Sequence, residues 1–222
     1  MHGLKGDMVR VSGRLVAGIF LLILGAGAAF AATQDPVLDC LSEDNDLRIS
    51  GCSALIATPG LPPEQLSLAY GLRALAYSLK QNYEQALADY DKAIGLNPDF
   101  AVALNNRAWL YYKTGRLEDG VADVEHALRL APASPYALDT RAHIRQLQGA
   151  TPEALADYER AMRFGGRQIV KLYQCGLRSQ GVYSGALDGI YSQEVSSALR
   201  TCVSTPHCDP LPDDSECRPT VS

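Results

Sequence analysis

Apolar positions along this chain fall into two patterns. Near the start, LVAGIFLLILGAGAAF (15–30) is an unbroken apolar run. From residue 66 onward, apolar residues recur with the helical period, in short stretches separated by polar breaks. Three windows overlay without gaps: LRALAYSLKQNYEQALADYDKAIGLNP (72–98), NRAWLYYKTGRLEDGVADVEHALRLAP (106–132) and TRAHIRQLQGATPEALADYERAMRFGG (140–166), spaced by 34 residues both times. Each window predicts two amphipathic helices around a break, at Gln81-Asn82, Gly115-Arg116 and Gly149-Ala150. No alternation of strand period interrupts them, so the expected class is all-α.

The recurring residues have physical reasons for their places. Ala74, Ala108 and Ala142 fall where a first helix must approach a second closely, and Ala86, Gly120 and Ala154 fall opposite them. Tyr77, Tyr90, Tyr111 and Tyr158 fill the neighbouring space, and Pro98 and Pro132 stop the second helices. Arg73, Arg107 and Arg141 repeat at 34, as do Asp89, Asp123 and Asp157. Each break lies midway between its Arg and its Asp, which places the two at similar heights on antiparallel helices. A structural ion-pair ladder is the expectation, each exposed pair contributing about 0–1 kcal/mol.

A period of 34 with this layout resembles the tetratricopeptide repeat family over residues 66–166. Two positions depart from it: Gly165-Gly166 replaces a closing proline, and Arg145 stands where an aromatic is usual. The resemblance implies an α-solenoid of about three hairpins, with ligands on the concave side lined by the first helices. By helical spacing the inward residues are Leu68, Gly71, Leu75 and Ser78 in the first unit, and Val102, Asn105, Trp109, Tyr112 and Lys113 in the second. The third offers Tyr136, Asp139, His143 and Gln146. Asn105, Trp109, Tyr112, Lys113, Tyr136, Asp139 and His143 are the candidate groove residues, and the lone tryptophan is the expected anchor. Gly71, Leu75, Asp139 and His143 occupy the places where some relatives clamp a carboxylate tail with Lys and Asn, so that ligand type is disfavoured.

Upstream, residues 37–65 form a capping half-repeat whose helix, LRISGCSALIA (47–57), carries Cys52 within reach of Cys40. Asp46 is its expected N-cap, and LSEDND (41–46) lacks the glycine spacing of a calcium loop. Downstream, VKLYQCGLRSQGVYSGALDGIYSQEVSSALRTC (170–202) resembles a peptidoglycan-binding-like helix pair over residues 167–204. Asp188-Gly189 makes its turn, and Tyr183, Asp188 and Tyr191 are the glycan candidates that this second resemblance implies. Ser192 and Val195 depart from that pattern, and capping of the solenoid is the competing role.

Composition narrows the function. The formal charge is −5, and beyond the first 31 residues 17 Lys/Arg face 24 Asp/Glu. No basic stripe is left for nucleic acid. The basic start, the apolar run and Ala29-Phe30-Ala31 read as a secretory signal over 1–31, with an uncleaved inner-membrane anchor (Leu15 to Ala32) as the alternative. The expected location is therefore periplasmic or otherwise exported. Six cysteines beyond that segment, Cys40, Cys52, Cys175, Cys202, Cys208 and Cys217, suit disulfides. Of 15 possible connectivities, 40–52, 175–202 and 208–217 is the simplest, leaving a disulfide-containing tail at 205–222. A metal site at Cys202, His207 and Cys208 is the rival, but the spacing matches no C-x-x-C pair, so neither metal nor cofactor is expected. No catalytic motif pairs His126 or His143 with a nucleophile. The expected function is a non-enzymatic scaffold holding a protein or peptide in its groove, with peptidoglycan as a second partner. The alternatives are a membrane-tethered assembly factor with a purely structural cap and, with less support, a wall hydrolase.

Overall fold

A computed structural model describes residues 35–211. The leader at 1–31, Cys217 and the rest of the tail lie outside the described residues. Nine helices and no strand occur among the described residues: α1 (Pro36–Cys40), α2 (Asn45–Ile56), α3 (Pro63–Leu79), α4 (Tyr83–Leu96), α5 (Ala101–Lys113), α6 (Leu117–Leu130), α7 (Pro135–Leu147), α8 (Thr151–Ser179) and α9 (Gln193–Val203). None of them is long and apolar enough to cross a membrane. α3/α4, α5/α6 and α7 with the first arm of α8 are the three hairpins, stacked into an all-α solenoid of tetratricopeptide type.

The small residues do what their spacing implies. Ala74, Ala86, Ala108, Ala142 and Ala154 are fully buried. A Cβ on Gly120 would stand 3.1 Å from the Ala108 carbonyl oxygen and 3.2 Å from Ile144 Cδ1, so this crossing is closer than a side chain comfortably allows. Each hairpin break is a helix C-terminus closed by a left-handed residue: Gln81 (φ 60°), Gly115 (φ 75°) and Gly149 (φ 77°). The next amide in each case bonds back across the turn, Asn82 N to Tyr77 O, Arg116 N to Tyr111 O and Ala150 N to Arg145 O. Gln81 is the exception among these breaks, since a side chain in this region costs about 1 kcal/mol. Gln81→Gly is therefore expected to raise unfolding stability by about 0.5–1 kcal/mol in urea titration. An unchanged midpoint would mean that the left-handed conformation carries no strain.

The Arg–Asp ladder forms in all three hairpins. Arg73 Nε–Asp89 Oδ2 is 2.7 Å, Arg107 Nε–Asp123 Oδ2 2.6 Å and Arg141 Nε–Asp157 Oδ2 2.7 Å, each with a second parallel bond from Nη2. The third fork tooth of each arginine crosses to the preceding hairpin, reaching Ser53, Asp91 and Glu125. The ladder thus ties each unit to the one before it. Arg145, the departure from the repeat pattern, joins it by donating to Asp157 at 2.6 Å.

At the N-terminal end, Cys40–Cys52 closes α1 against α2. Asp44, not Asp46, is the N-cap of α2, because its carboxylate takes the amides of both Asp46 and Leu47. Those two bonds hold its acid below the usual range.

At the other end the chain bends without a loop. Gly166 (φ 63°) kinks α8, and a Cβ on Gly165 would stand 2.2 Å from Ile169 Cγ1. The two glycines thus allow one sharp turn and one close approach where a proline stop was expected. The second arm, 167–179, keeps the repeat register: Gly176 lies 34 residues beyond Ala142 and is buried like it. With α9 it makes a degenerate fourth hairpin. One continuous core joins Ala142, Ala154 and Tyr158 to Tyr173, Leu177, Val195 and Leu199.

The disulfides of this end differ from the expected set. Cys202 bonds Cys208, not Cys175, and the expected 208–217 pair is excluded with it. The chain turns tightly after α9, with His207 at φ 63°, so the shortest separation closes rather than the facing of the two helices. Cys175 is disulfide-bonded as well. With Cys202 and Cys208 oxidised to each other, the rival metal site loses both thiolates.

Candidate ligand groove

The first helices face a groove of about 610 Å³. Leu75 and Ser78 of α3, Asn105, Trp109 and Lys113 of α5, and Tyr136 and Asp139 of α7 line it as the repeat spacing predicts. Leu68, Gly71 and Val102 do not. Gly71 packs against Phe100, whose ring would stand 2.9 Å from an added Cβ, while Leu68 and Val102 are exposed outside the lining. Tyr112, His143 and Gln146 are also absent from the lining.

Trp109 is half-buried and holds the centre. Its ring lies 4.9 Å from Tyr112 and edge-on to His143 at 5.3 Å, with Lys113 Nζ 5.8 Å from its centroid. Tyr112 is thus a support beneath the anchor rather than a second contact surface. Tyr136 stands at the rim, 66% exposed.

Two polar atoms at the groove lack partners. The Tyr90 hydroxyl and Asn105 Oδ1 are buried and make no hydrogen bond among the described residues. Burial pushes the Tyr90 phenol up, and the neighbouring Asn106 side chain offsets part of this. Leaving such a group unpaired costs about 1–3 kcal/mol, so the groove holds an unmet donor and an unmet acceptor near its aromatic centre. Tyr90 comes from α4, a second helix, and was outside the inward set read from first helices alone.

His143 is a correction to the inward set: it is 2% exposed and lies under the groove. Its Nδ1 faces the Asp139 carbonyl at 2.9 Å, its Nε2 faces Asp209 Oδ1 at 3.0 Å, and the rings of Tyr112, Trp109 and Tyr158 surround it. Burial opposes its charge, but Asp139 and Asp209 outweigh that and raise its pKa to about 9. Asp209 is held below the usual carboxylate range: burial opposes this, and the His143 bond and charge prevail. Burial instead raises Asp139, which accepts the Tyr173 hydroxyl.

The far end of the groove is walled by Ile169, Leu172 and Tyr173 of the second arm of α8 and by Leu211. The repeat register of the α8 residues could have shown this: Tyr173 stands 34 residues beyond Asp139.

The glycan candidates divide. Tyr183 is 6% exposed in the core and donates to the Ala186 carbonyl at 2.7 Å. Asp188 accepts from Gln174 Nε2 at 2.8 Å and the Ile190 amide at 2.9 Å, bonds that lower its pKa. Gln174, fully buried, also accepts the Gly189 amide at 2.9 Å, so this turn is built around it. Tyr191 is 42% exposed and donates to Glu159 at 3.0 Å.

Comparison with known families agrees with the repeat geometry. Residues 67–100 match one tetratricopeptide repeat family model and residues 89–122 match another. The two matches cover most of α3, all of α4 and α5, and the start of α6. No curated protein matches the chain. Tetratricopeptide repeats generally bind protein or peptide partners, and the repeats support a protein–protein interaction scaffold as the class of protein.

Proposed function

We propose that this protein is an exported, non-enzymatic scaffold that holds an extended segment of another protein in its groove. One observation carries the reading: a half-buried tryptophan stands beside an unpaired buried donor and acceptor, Tyr90 and Asn105, the pairing that a peptide backbone offers in return. Disulfides at both ends of the solenoid suit an oxidising compartment and support export. The closing hairpin serves as a cap. Supporting this, it shares its core with the third unit, and Tyr183 and Asp188 are spent on its own turn.

Trp109→Ala is expected to weaken partner binding by about 2 kcal/mol or more, roughly 30-fold. Capture from a periplasmic extract with the unsubstituted chain and the variant reads this out, and an unchanged partner set would remove the groove from the function. Sedimentation with purified cell wall tests the cap: the chain should stay in the supernatant, and a wall-bound fraction lost in Tyr191→Ala would restore the glycan reading.

A further inference from the structure

The third unit's share of the groove is open at Tyr136 and Asp139 but filled at His143 and Gln146, and the chain fills it with itself. In repeat register, Asp139, His143 and Gln146 correspond to Asn105, Trp109 and Tyr112 of the second unit. Over α5 the concave side is open at Trp109. Over α7 it is covered at His143 and Gln146 by a strap, residues 209–211, that follows the Cys202–Cys208 disulfide.

The strap's contacts are those of a bound peptide. Gln146 Nε2 donates to the Cys208 backbone carbonyl at 2.7 Å, and Gln146 Oε1 is held in place by the Tyr158 hydroxyl at 2.8 Å. The Asp209 carboxylate meets His143 Nε2 at 3.0 Å and accepts the Leu211 amide at 2.9 Å. Pro210 is buried, and the Leu211 side chain enters the groove wall. Backbone, carboxylate and apolar side chain are each received by a different groove element.

We propose that residues 209–211, anchored at the disulfide-bonded Cys208, are a built-in ligand of the third unit. The partner carries the same pattern, a carboxylate side chain followed by proline and an apolar residue, and binds there by displacing the strap. This rests on the groove reading above and adds the partner's chemistry and a reason for selectivity. The two carboxylates around His143 set the charge complementarity: Asp139 stays with the protein and with Tyr173, while Asp209 is the one a competitor's acid replaces. The tether makes the strap's local concentration high, so a competitor sees only the fraction of molecules whose strap is released.

The test uses the full oxidised chain and a fluorescent, end-blocked peptide, Ser-Asp-Pro-Leu-Pro-Ser, read by anisotropy. Asp209→Asn weakens the strap's hold and should bind this peptide about tenfold or more tightly than the unsubstituted chain. The peptide with Asn in place of Asp should lose that gain, and Asp209→Asn combined with His143→Gln should lose it too. Leu211→Ser, which leaves the His143–Asp209 bond in place, should also gain affinity and serves equally if Asp209→Asn does not fold. Equal binding of the Asp and Asn peptides by the opened variant, or no gain in either variant, overturns the proposal. Trp109-dependent partner capture persisting alongside that negative result would leave the groove reading standing; its loss would remove that reading separately.

Discussion

Asp157→Ala is expected to cost about 3–5 kcal/mol of unfolding stability. The carboxylate is 2% exposed and receives two parallel bonds from Arg141, at 2.7 and 2.8 Å, and a third from Arg145 at 2.6 Å. Removing it takes the shared carboxylate from three guanidinium groups, those of Arg141, Arg145 and the more exposed Arg160, and leaves only Glu125 to meet Arg141 at 3.0 Å and Arg145 at 3.6 Å. The cost comes chiefly from stranding those charges, not from losing an attraction that water would have supplied anyway. Asp119 is the internal comparison: it pairs with Arg116 at 2.7 Å, but both side chains are about half exposed. Asp119→Ala should change stability by no more than about 0.5 kcal/mol. Urea unfolding of both variants decides the matter, and similar small losses in each would make the ladder ornamental.

The ladder also shows what could be read from the sequence. Its inner rungs were legible because Arg and Asp recur at 34 and flank each break symmetrically, and the stacking of Ala74, Ala108 and Ala142 was legible for the same reason. The outer rungs to Ser53, Asp91 and Glu125 were not. The acids at 91 and 125 also recur at 34, but their pairing depends on how one hairpin leans on the last, which an alignment of units does not contain. The same blindness explains Tyr90 and Leu211, which reach the groove from a second helix and from a strap beyond the repeats. Asp46 and Asp44 show a finer limit, since two acids one residue apart can both cap and only the helix's starting phase selects between them. His143 was misplaced for an instructive reason. Its helical position is concave, as expected of a third-unit counterpart of Trp109, but the chain returns over that position and buries it.

That burial makes His143 the source of the strongest pH dependence expected here. An ordinary histidine titrates near 6.5, whereas in the fold the two flanking carboxylates overcome the opposing effect of burial and raise His143 to about 9. The folded state therefore holds a proton that the unfolded chain has already released. This stabilisation is fully present below about pH 6.5 and is lost as pH rises through about 9, amounting to on the order of 3 kcal/mol. Asp139 offsets part of it, because burial raises its pKa and its ionisation costs the fold something as pH climbs above the ordinary carboxylate range. Asp209 acts at the acid side. Its lowered pKa supplies stability that is present above the ordinary carboxylate value and lost as pH falls through the folded one. Urea midpoints should accordingly fall between pH 6.5 and pH 9.5. His143→Gln keeps a polar side chain but cannot hold the proton, so its stability should be lower near pH 6 and nearly level across the same interval. The two curves should converge toward pH 9.5. Parallel curves would place the pH dependence elsewhere and leave the strap held by packing of Pro210 and Leu211 alone, in which case the carboxylate at 209 would carry no selectivity for a competing acid.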